Sequence, residues 1–363
     1  MDASNEQECE AMRAAVYYGP NKVEIADVPE PTPGAGEVKV KVGFNGICGT
    51  DLHEYYAGPI FIPTEPHPLT HQQLPLVLGH EFSGTVTEVG KGVTGTSVGD
   101  RVAIEPLYRC GHCGPCRAGN YNICQQIGFH GLMSDGGMAE YTVVPTNMIH
   151  QLPENVSLEL GALVEPMSVA FHAATLGDPK PEDTAMVFGA GPIGIGLWFA
   201  LRGKGLDDVY VVEPSPTRRA SIEALGAKTL DPTAVDIPAY IADRTDGRGA
   251  DAIYDAAGVQ PAVETALGCI GARKPVVSVA IYEKPLTTPL QKLVMNESRI
   301  QGSLCYTSAD YEAVIELMSQ GKYDTTGWVD KIGLESVIDD GFEALHAGTK
   351  MKVLVDPSEG ATA

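Results

Sequence analysis

The chain has 363 residues, 44% hydrophobic and 20% charged, which is length and apolar content enough for two hydrophobic cores. Its 47 acidic residues against 25 basic ones give a formal net charge of -22, a field that repels phosphate backbones and anionic lipid surfaces and so argues against a nucleic-acid or membrane-surface protein. No basic stretch followed by an apolar run opens the chain and no later stretch is apolar enough to span a bilayer, so a cytoplasmic protein is expected, with closely spaced cysteines acting as metal ligands rather than disulfides.

The first twelve residues are polar and aperiodic, a leader expected to be disordered, with Cys9 a tail cysteine; the fold is expected to begin at "RAAVYYG". From Val38 to Gly99, valine and glycine alternate with polar residues in "EVKVKV" and "FSGTVTEVG", the pattern of short antiparallel strands in a barrel-like β domain. Within it, "GICGTDLHEY" and "LGHEFSG" supply Cys48, His80 and Glu81, and the later "LVEPMSVAFHAA" supplies Glu165. A thiolate, an imidazole and one carboxylate, from Glu81 or Glu165, form a mixed ligand set typical of a zinc ion that keeps one position open for chemistry. The stretch between them contains Glu65, His67 and His71 at ligand-like spacing, but its prolines point to a solvated lid or pocket rim and not to a further metal site.

Next comes "CGHCGPCRAGNYNIC", which places Cys110, Cys113, Cys116 and Cys124 in one glycine-rich loop. Glycine turns let so short a loop fold back and offer four thiolates at tetrahedral angles, and a closed thiolate shell leaves no room for substrate. A structural zinc is expected there, with His112 a solvated loop residue. After about Pro181 the texture changes to strand runs alternating with amphipathic segments, which implies a parallel, doubly wound sheet. Its first turn, "VFGAGPIG", sets Gly189, Gly191 and Gly194 between a strand and a helix, with Pro192 and Ile193 at the helix start. The first glycine permits the tight turn, the second lets the backbone approach a pyrophosphate, and the third allows close helix packing. Glu213 closes the following strand, where a carboxylate accepts from ribose hydroxyls and repels a 2'-phosphate, favouring NAD over NADP. Arg218 and Arg219, just beyond, carry the guanidinium groups that would complicate this. Cys269 and Cys305 have no ligand-like neighbours and read as core cysteines. In the last fifty residues "YEAVIELMSQGKYD" reads as an amphipathic helix and "KMKVLVDP" as a closing strand, and both are expected to return to the first domain.

Taken in order, "GICGTDLH", "GHE", the four-cysteine loop, "VEPMSVA" and "GAGPIG" resemble the zinc-dependent medium-chain alcohol and polyol dehydrogenases. The resemblance spans essentially the whole chain after the leader. It is nearest to the (R,R)-2,3-butanediol dehydrogenase branch through "AGPIFIPTEPHPLTHQQLPLVLGHE" and "VVEPSPTRR". It implies an α/β fold: a GroES-like β-barrel catalytic domain over 13–168 and 308–363, and a Rossmann domain over 169–307. It also implies two zinc ions per chain, one catalytic and one structural, and NAD. Cys48 and His80 become catalytic zinc ligands, with Glu165 the first choice of carboxylate and Glu81 the second; Thr50 and His53 become a proton relay, and Arg218 lies on the ribose side. The activity implied is oxidation of (R,R)-2,3-butanediol to acetoin and its reverse, so that the partner is a small alcohol, diol or hydroxyketone, in a homodimer or homotetramer. A sorbitol-like polyol dehydrogenase and an L-threonine dehydrogenase share this chemistry and differ in pocket shape, to which the loop 57–75 is expected to contribute. A regulatory protein without catalysis would require a missing catalytic group, and Cys48, Thr50, His53 and His80 are all present.

Overall fold

Alternation in "EVKVKVGFNG" makes Glu37–Gly46 a long central strand, and its valines at 38, 40 and 42 pack with Phe82, Val86, Val102, Ile104, Val144 and Met148 in one buried cluster. The molecule, seen in a computed structural model that describes residues 10–282 and 284–359, divides into two units, 1–165 with 329–363 and 166–328. The leader up to Cys9 lies outside the described residues. Its last part does not: the first strand is Ala11–Gly19, beginning before the expected start because Met12 is buried against Val16, Val77 and Ala139.

In the first unit, Glu37–Gly46 pairs antiparallel with Glu81–Val89 on one side. On the other it pairs with Tyr141–Pro145 along its first half and with Lys352–Asp356 at its end. Gly46 therefore stands opposite Glu81 in one neighbour and Leu354 in the other. A three-stranded sheet, Lys22–Pro29, Ala11–Gly19 and Leu76–Val77, completes the β domain. The closing strand thus returns to the first unit as its sequence implies.

The second unit is a six-stranded parallel sheet whose strands run, in chain order, third, second, first, fourth, fifth, sixth, the Rossmann arrangement. Its strands are fully buried apolar runs such as Thr184–Phe188, as a sheet covered on both faces requires. The segment 308–328, which the sequence assigns to the first domain, packs here instead. Its helix Ser308–Ser319 buries Tyr311, Val314, Ile315 and Met318, Asp310 pairs with His172 at 2.9 Å, and Tyr323 lies against Phe199 at 4.8 Å between ring centroids. Among the described residues no helix is long and apolar enough to cross a membrane.

Candidate active site and metal centres

The helix Gly49–Ala57 begins at Cys48, whose backbone N–H donates to Asp51 Oδ2 at 2.9 Å while the Asp51 N–H donates back to the Cys48 carbonyl. This reciprocal capping fixes the thiol at the helix start. Thr50 Oγ1 stands 3.6 Å from Cys48 Sγ, and His53 follows on the same helix, half-buried. His80 and Glu81 enter from the chain opposite Gly46 and are almost fully buried. The ligand atoms of Cys48, His80 and Glu81 all lie within 4.8 Å of one another. Glu165, buried in the first turn of the helix Val164–Gly177, is not a member of that group.

Two buried side chains that the motifs did not single out organise this cluster. Asp51 Oδ1 faces His80 Nδ1 at 3.4 Å, an ion-pair separation on the Nδ1 side of the ring. Burial disfavours the imidazolium, but Asp51 and Cys48 outweigh it, so without metal His80 titrates well above the usual histidine range. Lys352 ion-pairs with Glu81 Oε2 and donates to the Ile47 carbonyl at 3.0 Å. Burial works against its charge too, and the nearby Glu81, Cys48 and Glu165 raise it above the usual lysine range. Asp51 could have been found from its capping spacing after Cys48. Lys352 carries no such signal, because 271 residues separate it from Glu81. A soft, a borderline and a hard donor in one cluster, with His80 and Glu81 buried and Cys48 partly exposed, suit zinc with a position open to substrate.

The four cysteines of the second cluster also bring their sulfurs within 4.8 Å of one another, with Cys113 and Cys124 3.9 Å apart. Tetrahedral Zn–S bonds of about 2.3 Å place sulfurs about 3.7 Å apart, so the loop is shaped for the ion. Backbone N–H groups of Cys110, Cys113 and Gln126 each approach a sulfur at 3.4 Å. Those of Gln125 and Cys116 pull the Cys113 thiol down to about 6, so thiolate is available to a metal at neutral pH. His112 is exposed and its Nδ1 meets the Cys110 carbonyl at 2.8 Å, outside the cluster. The loop is anchored by a group the sequence reading missed. Buried Glu105 receives Tyr121 Oη at 2.7 Å and His150 Nε2 at 2.9 Å, and Arg109 stacks 4.0 Å over the Tyr121 ring. In the proline-rich loop, His67 uses Nε2 on the Ile127 carbonyl and Nδ1 on the Leu69 N–H, both backbone partners.

In the second unit, Gly189 has φ +98°, which an L side chain rarely adopts, and a Cβ on Gly194 would strike the Gly189 carbonyl. Gly191, the N-cap of helix Pro192–Gly203, has nothing within 4 Å of such a Cβ, and Pro192 takes the first helical position. Ile193 follows in the first turn. Buried Glu213 is held close by: its two oxygens accept from the Ala190 and Ser215 N–H groups at 2.8 Å each. Arg219 turns back to the Glu213 and Pro214 carbonyls and pairs with Asp231, whereas Arg218 is exposed.

Residues 34–154 match the alcohol dehydrogenase GroES-like domain family and residues 192–320 the zinc-binding dehydrogenase family. The chain is 41% identical over 353 residues to (R,R)-butanediol dehydrogenase of Bacillus subtilis, covering 96% of this chain and all of that one. The crystal structure of the B. subtilis 2R,3R-butanediol dehydrogenase superposes with a TM-score of 0.90 over the same shares. The 2-dehydro-3-deoxy-L-galactonate 5-dehydrogenase of Pseudoalteromonas atlantica is 34% identical, over 95% of this chain and 98% of its own. A structure described as a short chain alcohol dehydrogenase from Escherichia coli CFT073, in complex with NADH, is 29% identical with a TM-score of 0.85, over 95% and 99%.

Proposed function

The chain belongs to the zinc-binding dehydrogenases built on a GroES-like alcohol dehydrogenase domain, and from that membership we propose that it interconverts (R,R)-2,3-butanediol and acetoin with NAD. The observation that carries the reading is the cluster of Cys48, His80 and Glu81 beside Thr50, in a chain 41% identical along its length to an enzyme of that name. Cys48, His80 and a carboxylate, Glu81 or Glu165, would hold the catalytic zinc, and the grouping of Glu81 with the other two supports Glu81; Cys110, Cys113, Cys116 and Cys124 would hold the structural one. Bound there, the catalytic ion supplies Lewis-acid polarisation of the substrate oxygen, and NAD is the hydride acceptor.

The protein's own groups do the rest. Thr50 takes the hydroxyl proton of the substrate and passes it to His53, which delivers it to solvent, and the same path runs backwards in reduction. Backbone N–H groups of Gly189, Gly191, Ile193 and Gly194 receive the pyrophosphate at the helix start, where Pro192 sets the first helical residue without a donor of its own, and Glu213 rejects a 2'-phosphate, with Arg218 on the ribose side. Free thiols at zinc-ligand spacing support a cytoplasmic location. The edge strand Arg299–Gly302, with exposed Leu290, Val294, Met295, Ile300 and Leu304 near it in sequence, supports a homodimer or homotetramer.

The test is NADH formation with each stereoisomer of 2,3-butanediol, sorbitol and L-threonine offered separately. The (R,R) isomer should exceed every other substrate in kcat/KM by about tenfold or more, as expected of a pocket that hydrogen-bonds both hydroxyls. Preferential turnover of sorbitol or threonine would overturn the assignment.

A further inference from the structure

Lys352 is a lysine at 2% exposure on the closing strand of the first unit. Its Nζ reaches across the end of the central strand to Glu81 Oε2 and is held from a third direction by the Ile47 carbonyl, one residue before Cys48. The crossing is built into the sheet. Gly46 lies between the two strands that carry the pair, and a side chain there would run into Glu81 Oε2 and stand 3.2 Å from Lys352 Nζ. Around this ammonium stand the carboxylates of Glu81 and Glu165 and the sulfur of Cys48, with Asp51 behind His80. A buried cation bound to one oxygen of a carboxylate competes with whatever binds the other, because each draws on the same negative charge.

We propose that Lys352 is a positioning residue of the catalytic metal centre, sharing the carboxylate of Glu81 with the metal and so holding that ligand in place while weakening its bond to the ion. This rests on the reading of Cys48, His80 and Glu81 as the zinc cluster. The sharing has two consequences of opposite sign. With metal absent, Lys352 is the group that compensates the buried Glu81, so its loss leaves an unpaired carboxylate and a less stable apoprotein. With metal present, its loss leaves Glu81 wholly to the ion, which is then held more tightly and gives up its other positions more slowly.

The experiment compares wild type with Lys352→Met, Lys352→Gln and Lys352→Arg, the last keeping charge and donor. Zinc release from the loaded proteins to a chromogenic chelator, the visible spectrum of the cobalt-substituted proteins, and melting of zinc-stripped protein are measured with and without added zinc. Lys352→Met and Lys352→Gln should release the catalytic zinc about tenfold more slowly, the effect of removing one nearby positive charge. They should also shift the cobalt bands and melt lower than wild type only when stripped, while Lys352→Arg restores all three. Faster zinc release in both neutral variants, or release and spectra unchanged in both, would overturn the proposal. If neither neutral variant folds, a wild-type release rate and cobalt spectrum in Lys352→Arg supports the charge-sharing role, and altered values in that variant overturn it. Wild-type protein whose zinc content does not fall on Cys48→Ala substitution would instead remove the zinc reading beneath the proposal.

Discussion

Glu213 is tied into the fold at the place where we propose it meets the cofactor. Its oxygens are engaged by the N–H groups of Ala190, inside the glycine turn, and Ser215, beyond the next strand, so the carboxylate ties these two backbone segments together. Each oxygen keeps a further lone pair for a ribose hydroxyl. Removing the side chain therefore loosens the turn and removes the charge together, and Glu213→Gln separates the two. Glu213→Ala should weaken NAD use by about tenfold, from a lost charge-assisted hydrogen bond, and raise the relative use of NADP. Glu213→Gln should keep most of the NAD activity yet still relax the rejection of NADP. The ratio of kcat/KM for the two cofactors decides: unchanged in both variants, it would make Glu213 only a tether of the loop. The position of this carboxylate was legible, because the strand-end spacing after the glycines marks it. Its two backbone partners were not, since they depend on how the turn and the strand end meet in space.

At the scale of elements, the four-cysteine loop is held by Glu105. That carboxylate gathers Tyr121 from within the loop, Arg109 from just before it and His150 from a strand beyond it. Cys113→Ser should lower zinc content by about one ion per chain, as expected when one thiolate of a closed shell is lost. Because the loop lies in a different segment from Cys48 and His80, the catalytic ion should remain. Elemental analysis alongside limited proteolysis checks this, with new cleavage expected inside 110–124; loss of both ions would tie the two centres together. This loop was readable almost whole, since four ligands within fifteen residues need little tertiary information. The helix Ser308–Ser319 was readable only in kind: its apolar spacing gives a helix with one buried face but not the surface that buries it. The catalytic cluster stood between these cases. Its motifs named Cys48, His80 and two candidate carboxylates, while the approach of Glu81 and His80 to Cys48 depends on the pairing of strands distant in sequence.

For the molecule as a whole, acidity of the medium acts on the first unit through a histidine that touches neither metal site. His130 is buried and held by Tyr108, Ser134 and Thr142, and desolvation lowers its pKa to about 3. An unfolded chain takes up a proton on this ring below about pH 6.5, while the folded chain takes none until near pH 3. The contribution to stability is therefore complete above pH 6.5 and falls as the medium is acidified through that window. From pH 6.5 to 5 the loss is about 2 kcal/mol, at about 1.4 kcal/mol per pH unit. Chemical denaturation at the two pH values should give a loss of at least this order, and His130→Gln, which cannot titrate, should flatten that slope even if it is less stable at pH 7. An equal slope in the variant would place the acid sensitivity elsewhere. The first unit is also discontinuous, with the whole second unit inserted between 165 and 329. On the ribosome, strand Glu37–Gly46 emerges early with one flank incomplete, the inserted unit can fold on its own contacts, and only then does Lys352–Asp356 arrive to close the sheet beside Gly46. Glu81 waits 271 residues of synthesis for its buried counter-ion. The catalytic half of the enzyme is thus among the last parts of the chain to mature, and a nascent chain halted before Lys352 would carry a finished parallel-sheet unit while Glu81 still lacked its buried lysine partner.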